Sequence, residues 1–167
     1  MKKVIVLFLF LSNVFTYSQS NVEGKNIHSL IGKEFFKLEN EIVFEEYVIK
    51  QGGGYLLQRD NFDAQFGINF YSSDEKHFLL FSKFSNSRHK ILDIIEINKK
   101  DFQGKKITEY CFTKKGWSTE IIALVNNTNT EFYTKILKAW RANRKSEKFE
   151  KVRPKKIINC GNESFGI

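Results

Sequence analysis

His77-Phe78-Leu79-Leu80-Phe81-Ser82-Lys83-Phe84, then Ser85-Asn86-Ser87-Arg88-His89, then Lys90-Ile91-Leu92-Asp93-Ile94-Ile95-Glu96-Ile97-Asn98 is the stretch that decides the fold. Two apolar runs flank five polar residues, the pattern of an antiparallel hairpin. The same texture continues on both sides. Upstream, Phe66 to Tyr71 is a further strand candidate, and Glu41 to Lys50 alternates between two faces. Gln51-Gly52-Gly53-Gly54 supplies the backbone freedom of a reversal, from which Tyr55-Leu56-Leu57 returns. Downstream, Lys106 to Thr113 and Thr119 to Val125 form another hairpin around Lys114-Lys115-Gly116-Trp117. Lys156 to Asn159 is a last edge strand before Cys160.

Residues 131–143 admit two readings. Phe132, Tyr133, Ile136, Leu137 and Trp140 recur at helical spacing, and Thr128 to Glu131 fits a capping box. Phe132, Thr134, Ile136, Lys138, Trp140 and Ala142 also alternate, and Arg144-Lys145-Ser146-Glu147 makes a hairpin loop into Phe149-Glu150-Lys151-Val152. The balance favours a strand for the second half. Near the start, Asn26 to Ile31 reads as a helical turn stopped at Gly32. The expected class is mainly β, with α+β as the alternative. The architecture is an antiparallel meander of about eight or nine short strands, barrel-like or a half-barrel packed by one short helix.

The first eighteen residues read as an address. Lys2 and Lys3 precede an apolar run from Val4 to Phe15, and Thr16-Tyr17-Ser18 places small residues at −3 and −1 of a cut before Gln19. That run falls short of the ~20 residues of a membrane-spanning helix. The layout predicts a secretory signal peptide at 1–18, a flexible leader at 19–25 and one globular domain at 26–167. The expected destination is periplasmic or extracellular. Cys111 and Cys160 form an even pair, which oxidising conditions favour joining as a disulfide.

Charge is unequally shared. Without Lys2 and Lys3 the chain keeps 25 cations against 19 acids, a net of +6. Residues 19–98 hold 9 cations and 12 acids, whereas residues 99–167 hold 16 and 7. Lys135, Lys138, Arg141, Arg144, Lys145 and Lys148 head a run opposed only by Glu147 and Glu150 as far as Lys156. Such asymmetry points to an acidic protein or an anionic envelope surface as partner, rather than to nucleic acid in an exported protein. A solvated face is the plainer account. As a helix, these cations would gather into one stripe; as a strand, they would divide between two faces.

Catalytic chemistry has little footing. His28, His77 and His89 lack metal-site spacing, and in the hairpin reading His77 and His89 lie at opposite ends of a strand. Cys111 sits in an apolar strand, which disfavours a thiolate. Glu45 and Glu46 face opposite ways, and Asp60 and Asp63 are too sparse for a calcium loop. Gly52-Gly53-Gly54 lacks the helix and lysine of a phosphate loop, and Gly116-Trp117-Ser118-Thr119 only superficially matches a nucleophile elbow. No cofactor is implied, and a non-enzymatic binding module is favoured over an enzyme. The crowded phenylalanines read first as sheet core. They leave room for a carrier of a small apolar ligand inside a barrel, and a hydrolase with an unrecognised site is the other alternative.

Lys138-Ala139-Trp140-Arg141-Ala142-Asn143, Lys148-Phe149-Glu150 and Ile158-Asn159-Cys160-Gly161-Asn162-Glu163 resemble small bacterial secreted proteins of unknown function, as does Lys90 to Ile97. The resemblance covers roughly half of the mature chain and implies no activity.

Overall fold

A computed structural model of the chain describes residues 26–35, 51–57, 65–73 and 75–166. The expected signal peptide and leader, the strand expected at 41–50 and the aspartates Asp60 and Asp63 lie outside them. The described chain is antiparallel β, arranged as three sheets.

The first sheet has five strands: β1 (Glu34–Phe35), β2 (Gln51–Leu56), β3 (Phe66–Ser72), β4 (Lys76–Ser85) and β5 (Arg88–Asn98), in the order β1-β5-β4-β3-β2. The β4–β5 hairpin is tighter than the sequence suggested. Ser85 and Arg88 pair, so the loop is only Asn86-Ser87, both at positive φ (49° and 61°). Paired positive φ values are the signature of a type I′ turn, whose twist matches the strands it joins. His89 is accordingly a strand residue opposite Phe84, not part of the loop. The triple glycine also differs from expectation. It runs inside β2, with Gly52, Gly53 and Gly54 opposite Tyr71, Phe70 and Asn69, instead of making a reversal.

One helical turn, α1 (Lys99–Phe102), follows β5. The chain then builds two sheets from one interrupted hairpin: β6 (Lys105–Thr108), β7 (Cys111–Thr113), β8 (Gly116–Ser118) and β9 (Ile121–Asn126). Its base, β6 and β9, joins β11 (Ile136–Asn143) and β12 (Lys148–Lys151) in the order β12-β11-β9-β6. Its tip, β7 and β8, joins β10 (Phe132–Tyr133) and β13 (Ile157–Gly161) in the order β10-β13-β7-β8. The strand reading of 136–143 therefore holds, and Arg144 to Glu147 is the turn into β12. The final strand is not at an edge, because β13 lies between β10 and β7. Among the described residues none of the three sheets closes on itself.

Burial explains the layering. Every residue from Ile121 to Val125 is buried, because the middle sheet is covered on both faces. Ile122 and Leu124 pack with Ile68, Leu79, Phe81 and Trp140 toward the five-stranded sheet. Ile121, Ala123 and Val125 pack with Cys111, Tyr133, Ile157 and Cys160 toward the small sheet. A third cluster covers the far side of the five-stranded sheet, where Ile27 and Leu30 of a 3-10 turn meet Tyr71, Phe78, Leu80 and Ile91. Asn26 caps that turn by accepting the His28 amide at 3.0 Å, and Gly32 at φ +85° ends it, as the sequence predicts.

Cys111 and Cys160 are joined by a disulfide and face each other directly in β7 and β13, with Cα atoms 4.0 Å apart. Gly161 donates to the Tyr110 carbonyl at the next rung, so the cysteines occupy the narrow, non-hydrogen-bonded rung. Beside them Tyr133 is buried at 3% exposure, and its hydroxyl finds no hydrogen-bond partner among the described residues. Burial raises its phenol pKa. Tyr133→Phe should stabilise the protein by about 1 kcal/mol, since it removes an unmet donor from the core. Urea unfolding curves of the two proteins check this, and a destabilised variant would mean the hydroxyl is satisfied in solution.

Candidate functional site

The six cations singled out in the sequence do not share one role. Alternation along β11 and β12 divides them. Lys138 lies across from Leu124 on the face toward the five-stranded sheet, while Arg141 lies across from Ile121 on the opposite face. The helical stripe therefore does not form, and the strand geometry splits the charge as the alternation predicts.

Arg141 and Arg144 converge on one carboxylate. Glu120, only 9% exposed in the turn before β9, accepts Arg141 Nε and Nη2 at 2.7 Å on Oε2 and Arg144 Nε at 2.6 Å on Oε1. The Glu120 carbonyl also accepts the Ala142 amide at 2.8 Å. Both guanidiniums thus serve to hold the β11–β12 turn against the turn that precedes β9. No local pattern signals this clamp, because Glu120 lies 21 and 24 residues from its partners.

The remaining four behave otherwise. Lys135, Lys138, Lys145 and Lys148 are exposed and make no ion pair among the described residues. The acids nearest Lys145 and Lys148 in sequence are engaged: Glu147 with Lys83 at 2.9 Å, and Glu150 with Asn143 at 2.7 Å and Ser146 at 2.9 Å. The Ser146 hydroxyl, then the Asn143 amide, hold the Glu150 carboxyl below its usual pKa.

Lys138 also lines a groove of about 630 Å³ between β5 and the β11–β12 hairpin. Its apolar wall is formed by Ile95, Leu137, Trp140, Phe149 and Val152. Two acids, Asp93 and Glu96, belong to the β5 segment along it, and both carboxylates have structural partners. Asp93 accepts the Phe149 amide at 2.8 Å and its neighbour's amide at 2.9 Å, tying the two sheets together. Glu96 pairs with Lys76 and with His28 Nε2 at 3.0 Å. These engagements make the groove a cleft between layers, with no free acid–base pair in it.

The histidines are dispersed. His28 is on Glu96, His77 stacks on Phe102 at 4.2 Å, and His89 meets the edge of Phe84 at 4.4 Å. His77 and His89 occupy opposite ends of the β4–β5 ladder, one opposite Ile97 and the other opposite Phe84. Burial, then the nearby Lys99 charge, lower the His77 pKa and favour its neutral form. Among the described residues no three His, Cys, Asp or Glu side chains converge as a metal site. No helix among them is long and apolar enough to cross a membrane. The chain matches no protein-family model, no curated protein and no solved structure.

Proposed function

We propose that the protein is an exported, non-enzymatic binding module whose basic C-terminal third contacts an acidic partner or anionic surface. The carrying observation is the contrast among its cations. Glu120 absorbs Arg141 and Arg144, whereas Lys135, Lys138, Lys145 and Lys148 stand in solvent, and the acids beside Lys145 and Lys148 are occupied elsewhere. Unopposed exposed lysines create a positive field that attracts polyanions from a distance. The disulfide supports export, since such bonds persist in oxidising compartments. The carrier alternative has less support, because among the described residues the sheets do not close into a barrel.

Lys138, Lys145 and Lys148 changed together to glutamine should elute from immobilised heparin at lower salt than the parent. Their thermal melting should match it, because none of the three forms an ion pair among the described residues. Arg141 does not belong in such a variant, since its loss would disturb the Glu120 clamp. Retention that ignores both salt and the triple substitution would reduce these lysines to a solubilising face.

A further inference from the structure

The small sheet carries its disulfide on one face and an aromatic platform on the other. Phe112 is paired with Trp117 on β8 and with Asn159 on β13, which puts those three side chains on the face opposite Cys111. Tyr110, two residues earlier, shares that face. Its ring lies so close over Gly161 that a Cβ there would come within 2.6 Å of it. Phe132, across from Gly161, extends the platform to β10. Tyr110 meets Phe112 at 5.6 Å and Trp117 at 5.2 Å between ring centroids, so the rings form one connected layer. Trp117 and Phe132 remain 40% and 41% exposed, and Ile158 in the β13 bulge is 56% exposed.

Charge is polarised along this sheet. Thr113 pairs with both Gly116 and Ile157, so the Lys114-Lys115 turn emerges beside Lys155 and Lys156, which lead into β13. Lys135 leaves β10 toward the same end, because β10 runs antiparallel to β13. All five lysines are exposed. Glu109, Glu131 and Glu163 adjoin Tyr110, Phe132 and Gly161 at the other end.

We propose that this lysine-ringed end of the platform docks on an anionic lipid bilayer. Trp117 and Ile158 enter the headgroup layer, and Lys114, Lys115, Lys135, Lys155 and Lys156 sit among the lipid phosphates. Two observations favour a bilayer over a soluble polyanion. The lysines border exposed apolar side chains, Trp117 and Ile158, and the aliphatic Ile158 is the most exposed of them at 56%. A polysaccharide would use the lysines and leave Ile158 in water; a bilayer satisfies both. The inference rests on the anionic-surface reading above and names which surface and which residues meet it.

The full exported chain is mixed with vesicles of phosphatidylcholine, with and without phosphatidylglycerol, while tryptophan fluorescence is followed. Trp140 is buried, so Trp117 supplies the response. The expected result is binding and a blue shift only with the anionic vesicles, quenched by brominated acyl chains. Lys114→Gln with Lys115→Gln should weaken binding by about tenfold or more. Trp117→Ala should weaken it too and abolish the shift, with thermal melting showing that both variants fold. Anionic-vesicle binding that ignores Trp117→Ala, or no vesicle binding, overturns the bilayer inference. If heparin retention then still depends on Lys138, Lys145 and Lys148, the broader reading survives without it. If heparin retention is lost as well, both fall.

Discussion

Replacing Cys111 and Cys160 together with alanine is expected to lower the unfolding free energy by about 4 kcal/mol, the largest single effect foreseen here. The bridge spans 49 residues of sequence, so its removal returns a long loop's worth of freedom to the unfolded chain. Location adds to the effect. β13 arrives last in the chain yet sits inside the small sheet, and the bridge fixes it to β7 at a fully buried rung. Without it, β13 is held by short ladders to β7 and to the two-residue β10. Urea unfolding measures the loss, and hydrogen exchange should show β10 and β13 opening first. A loss below about 1 kcal/mol would mean that packing around Tyr133 and Ile157 already fixes the strand.

The second large effect concerns Glu120. Glu120→Ala should cost about 2 kcal/mol, because it strips two guanidiniums of a nearly buried shared carboxylate. The figure lies below the range for fully buried pairs, since both arginines reach solvent. Glu120→Gln keeps the shape and removes the charge, so it should destabilise less. It also frees Arg141 and Arg144 for anions, and heparin retention should move to higher salt. Stability and retention thus shift in opposite directions. A glutamine variant as stable as the parent, with unchanged retention, would show that the clamp is only a surface contact.

Local pattern carried far in this chain where an apolar run is bounded by polar residues. The β4–β5 hairpin is readable from two such runs, and β4 is buried from Phe78 to Ser82, with Phe78 and Leu80 on one face and Leu79 and Phe81 on the other. The stretch Ile121 to Val125 was readable as a strand, yet nothing local indicated that both its faces would be covered. At the triple glycine and at Ser85 to His89, turn-forming residue types favour loops, but pairing with neighbouring strands decides the conformation. The basic site was legible as composition only. That Arg141 and Arg144 are spent on Glu120, while Lys114 and Lys115 meet Lys155 and Lys156, depends on contacts between distant segments.

By itself, the sequence determined an antiparallel β class, the strands of the β4–β5 hairpin, a strand over the second half of 131–143, a cysteine pair and a basic C-terminal half. These follow from alternation and charge counts, which are properties of neighbouring residues. Only the tertiary structure decided that one interrupted hairpin feeds two sheets, that three layers stack with β9 at their centre, and which cations remain free. Those outcomes depend on which surfaces bury each other. Burial is a property of the assembled chain, shared between residues that no local spacing connects.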